Sequence, residues 1–370
     1  VERGTISIVF AGGGTGGHLY PALAVADELR RRHPDASIVF VGARRGLEQR
    51  LVPAAGYPLR TLPLAGLKGA SLAGKLRAAV AAGWAVLRCA MWMARERPDL
   101  VIGVGGYASG PAVLAGRLVR VSAMVLEQNH FPGATNRWLA TRVAAVCLPS
   151  EAARSRIGGR TFVTGNPVRA EFLEIGEPPG GDRLGLLVFG GSRGARSINR
   201  AVGEALGAMA RLEPPPRIVH QTGSADEAEV RAAYETYPGE HEVRPFLEDM
   251  PRRLAEADLV VCRAGASTIS ELCAAGRPAV LVPYPHAADD HQRHNAEMLR
   301  DAGAALLLAD DELDGPRLGA AVAELVGDAG RRRAMGRAAR SLARPDAAAR
   351  IADVADDLLG ETPHGSRDVS

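Results

Sequence analysis

Two glycine-rich turns, each entered from a short apolar run and left into a helical pattern, constrain this chain more than any other feature. The first reads Gly12-Gly13-Gly14-Thr15-Gly16-Gly17-His18 and follows the apolar run Thr5–Phe10. The second reads Gly190-Gly191-Ser192-Arg193-Gly194-Ala195 and follows Leu186–Phe189. A strand that breaks into glycines and then opens a helix begins a nucleotide-binding βα unit. Glycine lets the backbone turn sharply and approach a ligand, and the N–H groups at the helix start attract anions. Two such openings in 370 residues predict two α/β domains, since a single core seldom grows beyond about 250–300 residues.

Strand and helix signals alternate behind each opening. In the first half Pro21–Arg32 is helical in pattern, and Ile38–Val41, Leu100–Val104 and Ala123–Leu126 are strand-like. In the second half Ile218–His220, Leu259–Cys262, Ala279–Val282 and Ala304–Leu307 continue the series. Such alternation implies two parallel sheets covered by helices on both faces. The junction is expected near Asn166-Pro167. An Ala/Arg-rich helix from about Arg331 to Leu359 ends the folded part, and Gly360–Ser370 is expected to be a loose tail.

Composition excludes several classes. With 46% apolar and 24% charged residues the chain is an ordinary globular protein. A net charge of +3 is too small to imply nucleic acid. The four cysteines form no CxxC and two lie in apolar runs, so reduced core thiols and a cytoplasmic setting are expected. No apolar run reaches the ~18 residues of a membrane span, and the strand at Thr5 suggests no signal peptide, so any membrane contact would be peripheral.

Each glycine turn admits a rival use. The first satisfies GxGxxG at Gly12, Gly14 and Gly17, the dinucleotide fingerprint. Such a site needs an acid after the second strand, whereas that strand ends Val41-Gly42-Ala43-Arg44-Arg45, so only an NADP-type site with arginines stays open. The second turn also spells GxSxG, the nucleophile elbow of a hydrolase, with His286, His291 or His294 downstream. Nothing in that assignment explains the first turn.

Polar groups cluster after two strands of the second half. Arg263-Ala264-Gly265-Ala266-Ser267-Thr268-Ile269-Ser270-Glu271 follows Leu259–Cys262. Thr268-x-x-Glu271 spells a capping box, in which Glu271 would only cap the helix; otherwise its carboxylate could accept both hydroxyls of a ribose. The sequence leaves both open. Asp289-Asp290-His291-Gln292-Arg293-His294-Asn295 matches no metal template, so no metal is expected there. Gln292 and Asn295 are neutral groups suited to sugar hydroxyls.

The ordered set Gly13–His18, Gly46-Leu47-Glu48, Gly105-Gly106-Tyr107, Glu127-Gln128-Asn129, Gly165–Arg169, Gly190–Ala195, Arg263–Glu271 and Asp289–Asn295 resembles the MurG family of N-acetylglucosaminyltransferases over nearly the whole chain. The resemblance implies a GT-B fold, two Rossmann-like parallel-sheet domains facing a cleft. Residues 1–167 with a returning C-terminal helix at about 346–360 would form the acceptor and membrane-facing domain. Residues 168–345 would form the UDP-sugar domain, and 361–370 the tail. UDP-N-acetylglucosamine would be the donor and lipid I the acceptor, with no cofactor and no metal, at the cytoplasmic face of the membrane.

By the same resemblance Ser192 and Arg169 would meet the diphosphate, Glu271 the ribose and the Phe246 backbone the uracil. The loop and helix start at Gly265, Ala266, Ser267, Thr268, Ile269 and Ser270, with Gln292 and Asn295, would hold the sugar. Thr15, Gly16, Gly17, His18 and Asn129 would face the acceptor and the reaction centre, where Thr15, Gly16, Gly17 and Asn129 would also meet the donor. Asp290 and His294 depart from the expected pattern. His18 is the candidate base, since a histidine titrates near neutrality, although it could merely position the acceptor.

Leu67–Arg97 mixes basic and apolar residues. Leu76, Val80, Trp84 and Leu87 recur at helical spacing, which by itself describes a helix facing the core. A lipid-linked acceptor suggests instead that Leu76, Val80 and Trp84, with Lys68, Lys75 and Arg77, dock on an anionic membrane surface.

Overall fold

The structure is a computed structural model. It describes residues 5–361 except 45, 65–71, 179, 182 and 192–193, and the backbone but not the side chains of 72–78 and 288. The chain divides into two units, Val1–Pro167 with Asp346–Ser370, and Val168–Pro345.

The first unit carries seven strands: β1 Ser7–Ala11, β2 Ser37–Ala43, β3 Leu59–Leu62, β4 Leu100–Gly103, β5 Ser122–Leu126, β6 Ala145–Leu148 and β7 Thr161–Val163. They pair in parallel in the order β3-β2-β1-β4-β5-β6-β7. The order reverses beside β1, so a crevice opens between β1 and β4 at the carboxyl edge.

Alternate residues of these strands feed two cores. Ile8, Phe10, Ile102 and Met124 face one side, beneath the helices Gly16–Arg32 and Ala347–Glu361. Val9, Val101 and Val125 face the other, beneath the helices Leu72–Glu96 and Ser109–Leu118.

The second unit repeats the plan with β8 Gly185–Phe189, β9 Arg217–Gln221, β10 His241–Arg244, β11 Leu259–Cys262, β12 Ala279–Leu281 and β13 Ala305–Leu307. Their order is β10-β9-β8-β11-β12-β13, again all parallel, with the reversal beside β8. All four cysteines are free and buried.

The last helix differs from the sequence expectation. The stretch from Arg331 is two helices, Ala329–Ser341 and Ala347–Glu361, because Pro345 has no N–H and disfavours helix in the residue before it. That break coincides with the unit boundary, so the final helix belongs to the first unit. Ile351, Ala355 and Leu358 enter its core. Arg32 binds Asp353 and Asp356 at 2.7 and 2.8 Å, and His33 meets Asp356 at 2.7 Å. Gly360 and Glu361 are still helical, and the rest of the expected tail lies outside the described residues.

The Leu72–Glu96 helix also departs from the core-facing alternative. Ala85, Cys89 and Met93 turn inward, whereas Val80 is 66% exposed, Trp84 52%, Leu87 49% and Met91 50%. These four recur at helical spacing, so an apolar stripe faces solvent. Lys68 lies outside the described residues, and Lys75, Leu76 and Arg77 are placed in the helix by backbone alone.

Candidate active site

The first unit brings the Gly12–Gly17 turn against the Gly105-Gly106 pair at the β1/β4 crevice. A Cβ on Gly106, where φ is +78°, would lie 2.3 Å from the Gly13 carbonyl oxygen, so no other residue fits. Beneath the first turn sits Glu48, fully buried. Its carboxylate accepts hydrogen bonds from the Gly14 N–H at 2.8 Å and the Ala43 N–H at 2.9 Å.

This anchor decides what the first turn can hold. A phosphate would need the Gly14 N–H and would meet the carboxylate behind it, so the turn disfavours anions. The dinucleotide alternative fails on that electrostatic ground. Replacing Glu48 by alanine strands one buried and one part-buried N–H group and is expected to cost about 2–4 kcal/mol. A urea midpoint within error of wild type would show that the carboxylate does not hold the turn.

Above the turn, the half-buried His18 places Nδ1 3.0 Å from the Gln128 Oε1. The Gln128 amide donates to the Val104 and Leu126 carbonyls, both at 3.2 Å. Glu127 organises the same loop. Its Oε1 accepts from the backbone N–H and Nδ2 of Asn129 at 2.8 and 3.1 Å, and its Oε2 from Gly133 and Asn136 at 3.0 and 2.8 Å. Asn129 therefore has its Oδ1 left to offer. Thr15 is exposed at the helix start and does not cap it with its side chain. His130 stands next in sequence, but burial pushes its pKa down to about 4, too low for a base at neutral pH.

In the second unit two helix starts open at the β8/β11 crevice, Arg196–Met209 after β8 and Ala266–Ala275 after β11. Their first N–H groups lack partners within the helix and favour negative charge. Gln221 donates to the Gly191 carbonyl at 2.8 Å and steadies the second glycine turn. Arg263 ties the edge together. It binds Asp310, the Val282 and Pro283 carbonyls at 3.1 Å and the Ser197 hydroxyl at 2.8 Å. Ser192, the expected diphosphate ligand, lies outside the described residues, and the helix begins after it, at Arg196.

Glu271 is not a cap. The helix is capped at Gly265, Thr268 and Glu271 both lie inside it, and no side chain caps it. The capping-box alternative is overturned, because Thr268 would have to occupy the cap position. Burial raises the Glu271 pKa to about 7, with the charge of Arg169 opposing the rise. A carboxylate held near its titration point beside a guanidinium has no structural duty visible in its bonds.

Two other expectations change. Asn295 is fully buried and donates to the Ala264 carbonyl at 3.1 Å, so the role its bond shows is to shape the turn before Gly265. Ile269 points into the core and can offer a ligand only its backbone. Gln292 fits better. Its Oε1 accepts from the Tyr284 N–H at 3.0 Å, which turns its NH2 group to other partners. Gly265, Ala266, Ser267, Thr268 and Ser270 are all partly accessible, and Phe246 is 37% exposed. Asp289 and Asp290 hold φ of 52° and 51°, a left-handed turn that leads into the Gln292 helix.

Among the described residues no three His, Cys, Asp or Glu side chains are grouped to hold a metal ion. Glu48, Gln128, Gln221 and Arg263 gained no role from sequence. Each works through tertiary contacts, and only the glycines around Glu48 hinted that something must fit closely there.

Residues 8–148 match the glycosyltransferase family 28 N-terminal domain, and residues 185–351 its C-terminal domain. A Myxococcus xanthus (strain DK1622) protein is 43% identical over 365 residues, 97% of this chain and 95% of its own. It is named UDP-N-acetylglucosamine–N-acetylmuramyl-(pentapeptide) pyrophosphoryl-undecaprenol N-acetylglucosamine transferase. The protein of that name in Geotalea uraniireducens (strain Rf4) is 44% identical over 354 residues, 94% of this chain and 97% of its own. Among solved structures, Acinetobacter baumannii MurG matches with a TM-score of 0.77 at 31% identity, covering 95% of this chain and 99% of that one. A UDP-N-acetylglucosamine 2-epimerase shares the fold alone, with a TM-score of 0.68 at 13% identity over 99% and 100% of the two chains. Two Rossmann-like sheets of the GT-B type and this kinship along nearly the full length lead to one assignment: the chain belongs to the MurG family, within glycosyltransferase family 28.

Proposed function

We propose that this chain is an inverting transferase that moves N-acetylglucosamine from UDP-N-acetylglucosamine to the 4-hydroxyl of the muramoyl sugar of lipid I, giving lipid II and UDP. The observation that carries the proposal is the unlike chemistry of the two crevices, in a chain 43–44% identical to transferases named for this reaction. One crevice has a carboxylate under its glycine turn and an imidazole above it. The other has two helix starts, a guanidinium and a carboxylate near its titration point.

The donor belongs in the second unit. Glu271 accepts the ribose hydroxyls, and the Phe246 backbone meets the uracil. Gln292, with the start of the Ala266–Ala275 helix, holds the sugar, and Ser192 and Arg169 meet the diphosphate. The helix starts and Arg169 stabilise the charge that UDP gains as it leaves, so no metal ion is required. The acceptor belongs in the first unit, where Thr15, Gly16 and Gly17 shape its seat and Asn129 orients its hydroxyl. His18 takes the hydroxyl proton as the oxygen attacks C1 from the face opposite UDP.

Incubation with UDP-N-acetylglucosamine, a lipid I analogue and a chelator tests this directly. Release of UDP with formation of the β-linked disaccharide is expected. Isomerisation of the donor without acceptor, or loss of turnover on chelation, would overturn the corresponding part.

Among the described residues no helix is long and apolar enough to cross a membrane. The exposed stripe Val80, Trp84, Leu87 and Met91, with the basic residues Lys68, Lys75, Arg77 and the exposed Arg88, supports docking on an anionic cytoplasmic membrane surface. Trp84→Glu removes about 1–2 kcal/mol of apolar burial, so affinity for anionic vesicles is expected to fall roughly tenfold. Turnover of a water-soluble acceptor should stay unchanged. Unaltered vesicle binding would remove this helix from the docking surface.

A further inference from the structure

We propose that Gln128 is a positioning residue for the transfer: it holds the proton of neutral His18 on Nδ1 and so keeps Nε2 bare for the attacking hydroxyl. This rests on the assignment of His18 as the base.

The orientation of the Gln128 amide follows from chemistry. One end lies 3.2 Å from both the Val104 and Leu126 carbonyl oxygens, which can only accept, so that end is the NH2 group. The other end, 3.0 Å from His18 Nδ1, is therefore the oxygen, and it too can only accept. Nδ1 must donate, so in the neutral ring Nε2 is the atom with a free lone pair.

The support is rigid. Val104 follows β4, Leu126 ends β5, and these strands are neighbours in the sheet. Gln128 is 3% exposed. The imidazole lies against Gly105, where a Cβ would come within 2.7 Å of Nδ1 and push the ring off its partner. In water a neutral histidine side chain favours the proton on Nε2, the tautomer with no basic atom on that side. The Gln128 oxygen reverses this preference.

With the tautomer fixed, the step balances. The acceptor O–H proton passes to Nε2 as its oxygen bonds to C1, and the C1–O bond to the diphosphate breaks with its electron pair leaving on UDP. A neutral amide fixes the ring without adding a charge that would hold the transferred proton.

The test is nitrogen NMR of protein labelled with 15N-histidine, at pH about 9 where histidine is neutral. The His18 signals are identified by their loss in His18→Ala. Wild type should show a protonated, pyrrole-type Nδ1 and a bare, pyridine-type Nε2. In Gln128→Met the proton should move to Nε2, and kcat should fall on the order of tenfold, less than the about 10²–10⁴ that a base supplies because the ring itself remains, with donor KM unchanged. A wild-type ring protonated on Nε2 overturns the inference whether or not the variant folds. So does a variant ring that keeps its proton on Nδ1. If the proton moves but kcat holds, the tautomer assignment stands and the base assignment beneath it falls.

Discussion

Replacement of His18 by alanine is expected to lower kcat by about 10²–10⁴-fold, the contribution of a positioned general base. Donor KM should stay within a factor of about three, because the groups assigned to the nucleotide lie in the other unit. The size of the effect follows from the surroundings of the imidazole. The nearby His130 is held neutral by burial, with a pKa of about 4. Glu127 is engaged by four N–H groups of its own loop and the helix that follows, so neither side chain can take over the proton. Asn129 offers an amide oxygen, which orients a hydroxyl but does not accept its proton. Unchanged kcat would reduce His18 to a positioning role, whereas a large rise in acceptor KM alone would mean that the ring binds the sugar without doing chemistry.

Glu271→Gln is expected to weaken nucleotide binding and stabilise the fold at the same time. Binding falls because a carboxylate can accept both ribose hydroxyls, whereas an amide offers one acceptor. The loss of a charged hydrogen bond predicts a rise in donor KM of about 10–100-fold.

Stability moves the opposite way. Burial raises the folded-state pKa from 4.5 to about 7. A raised carboxylate pKa favours the neutral form, so the associated stability is complete below pH 4.5 and is lost as pH rises through about 7. The full shift corresponds to about 3 kcal/mol. Because the residue keeps some contact with solvent, about 1–2 kcal/mol is expected above pH 7. Glutamine carries no such penalty, so the variant should melt about 2–6 °C higher at pH 8 and lose that advantage as the pH falls towards 4.5. In the same range the wild-type donor KM should rise as pH drops below about 7, while that of the variant stays flat. A variant less stable than wild type at pH 8 would mean that Glu271 is a structural partner, not a residue held for a ligand.

The central strands and both glycine turns could be read from sequence because burial on both faces leaves little choice of residue. Leu259–Cys262 was legible to the residue, as a run of buried apolar side chains. The edge strands β3, β7 and β10 were not. Leu59–Leu62, Thr161–Val163 and His241–Arg244 are short, and their polar residues leave no continuous apolar run.

The same limit applied at the site. Glu271 and Gln292 stood out as polar groups after strand ends. The duties of Glu48 and Gln128 depend on backbone groups distant in sequence: Glu48 reaches Gly14, and Gln128 reaches Val104. Asn295 looked like a sugar ligand because nothing in its neighbours reveals that it is fully buried. For Val80 and Trp84, helical spacing predicted a stripe but not which way it faced, since Ala85, Cys89 and Met93 form a second stripe on the same helix.

A crystal structure with UDP bound tests the division of labour between the two units most directly. The ribose hydroxyls should sit on Glu271, with the diphosphate near Arg169 and the helix starts at Arg196 and Ala266. Diphosphate cradled by Gly12–Gly14, above the Glu48 carboxylate, would contradict it.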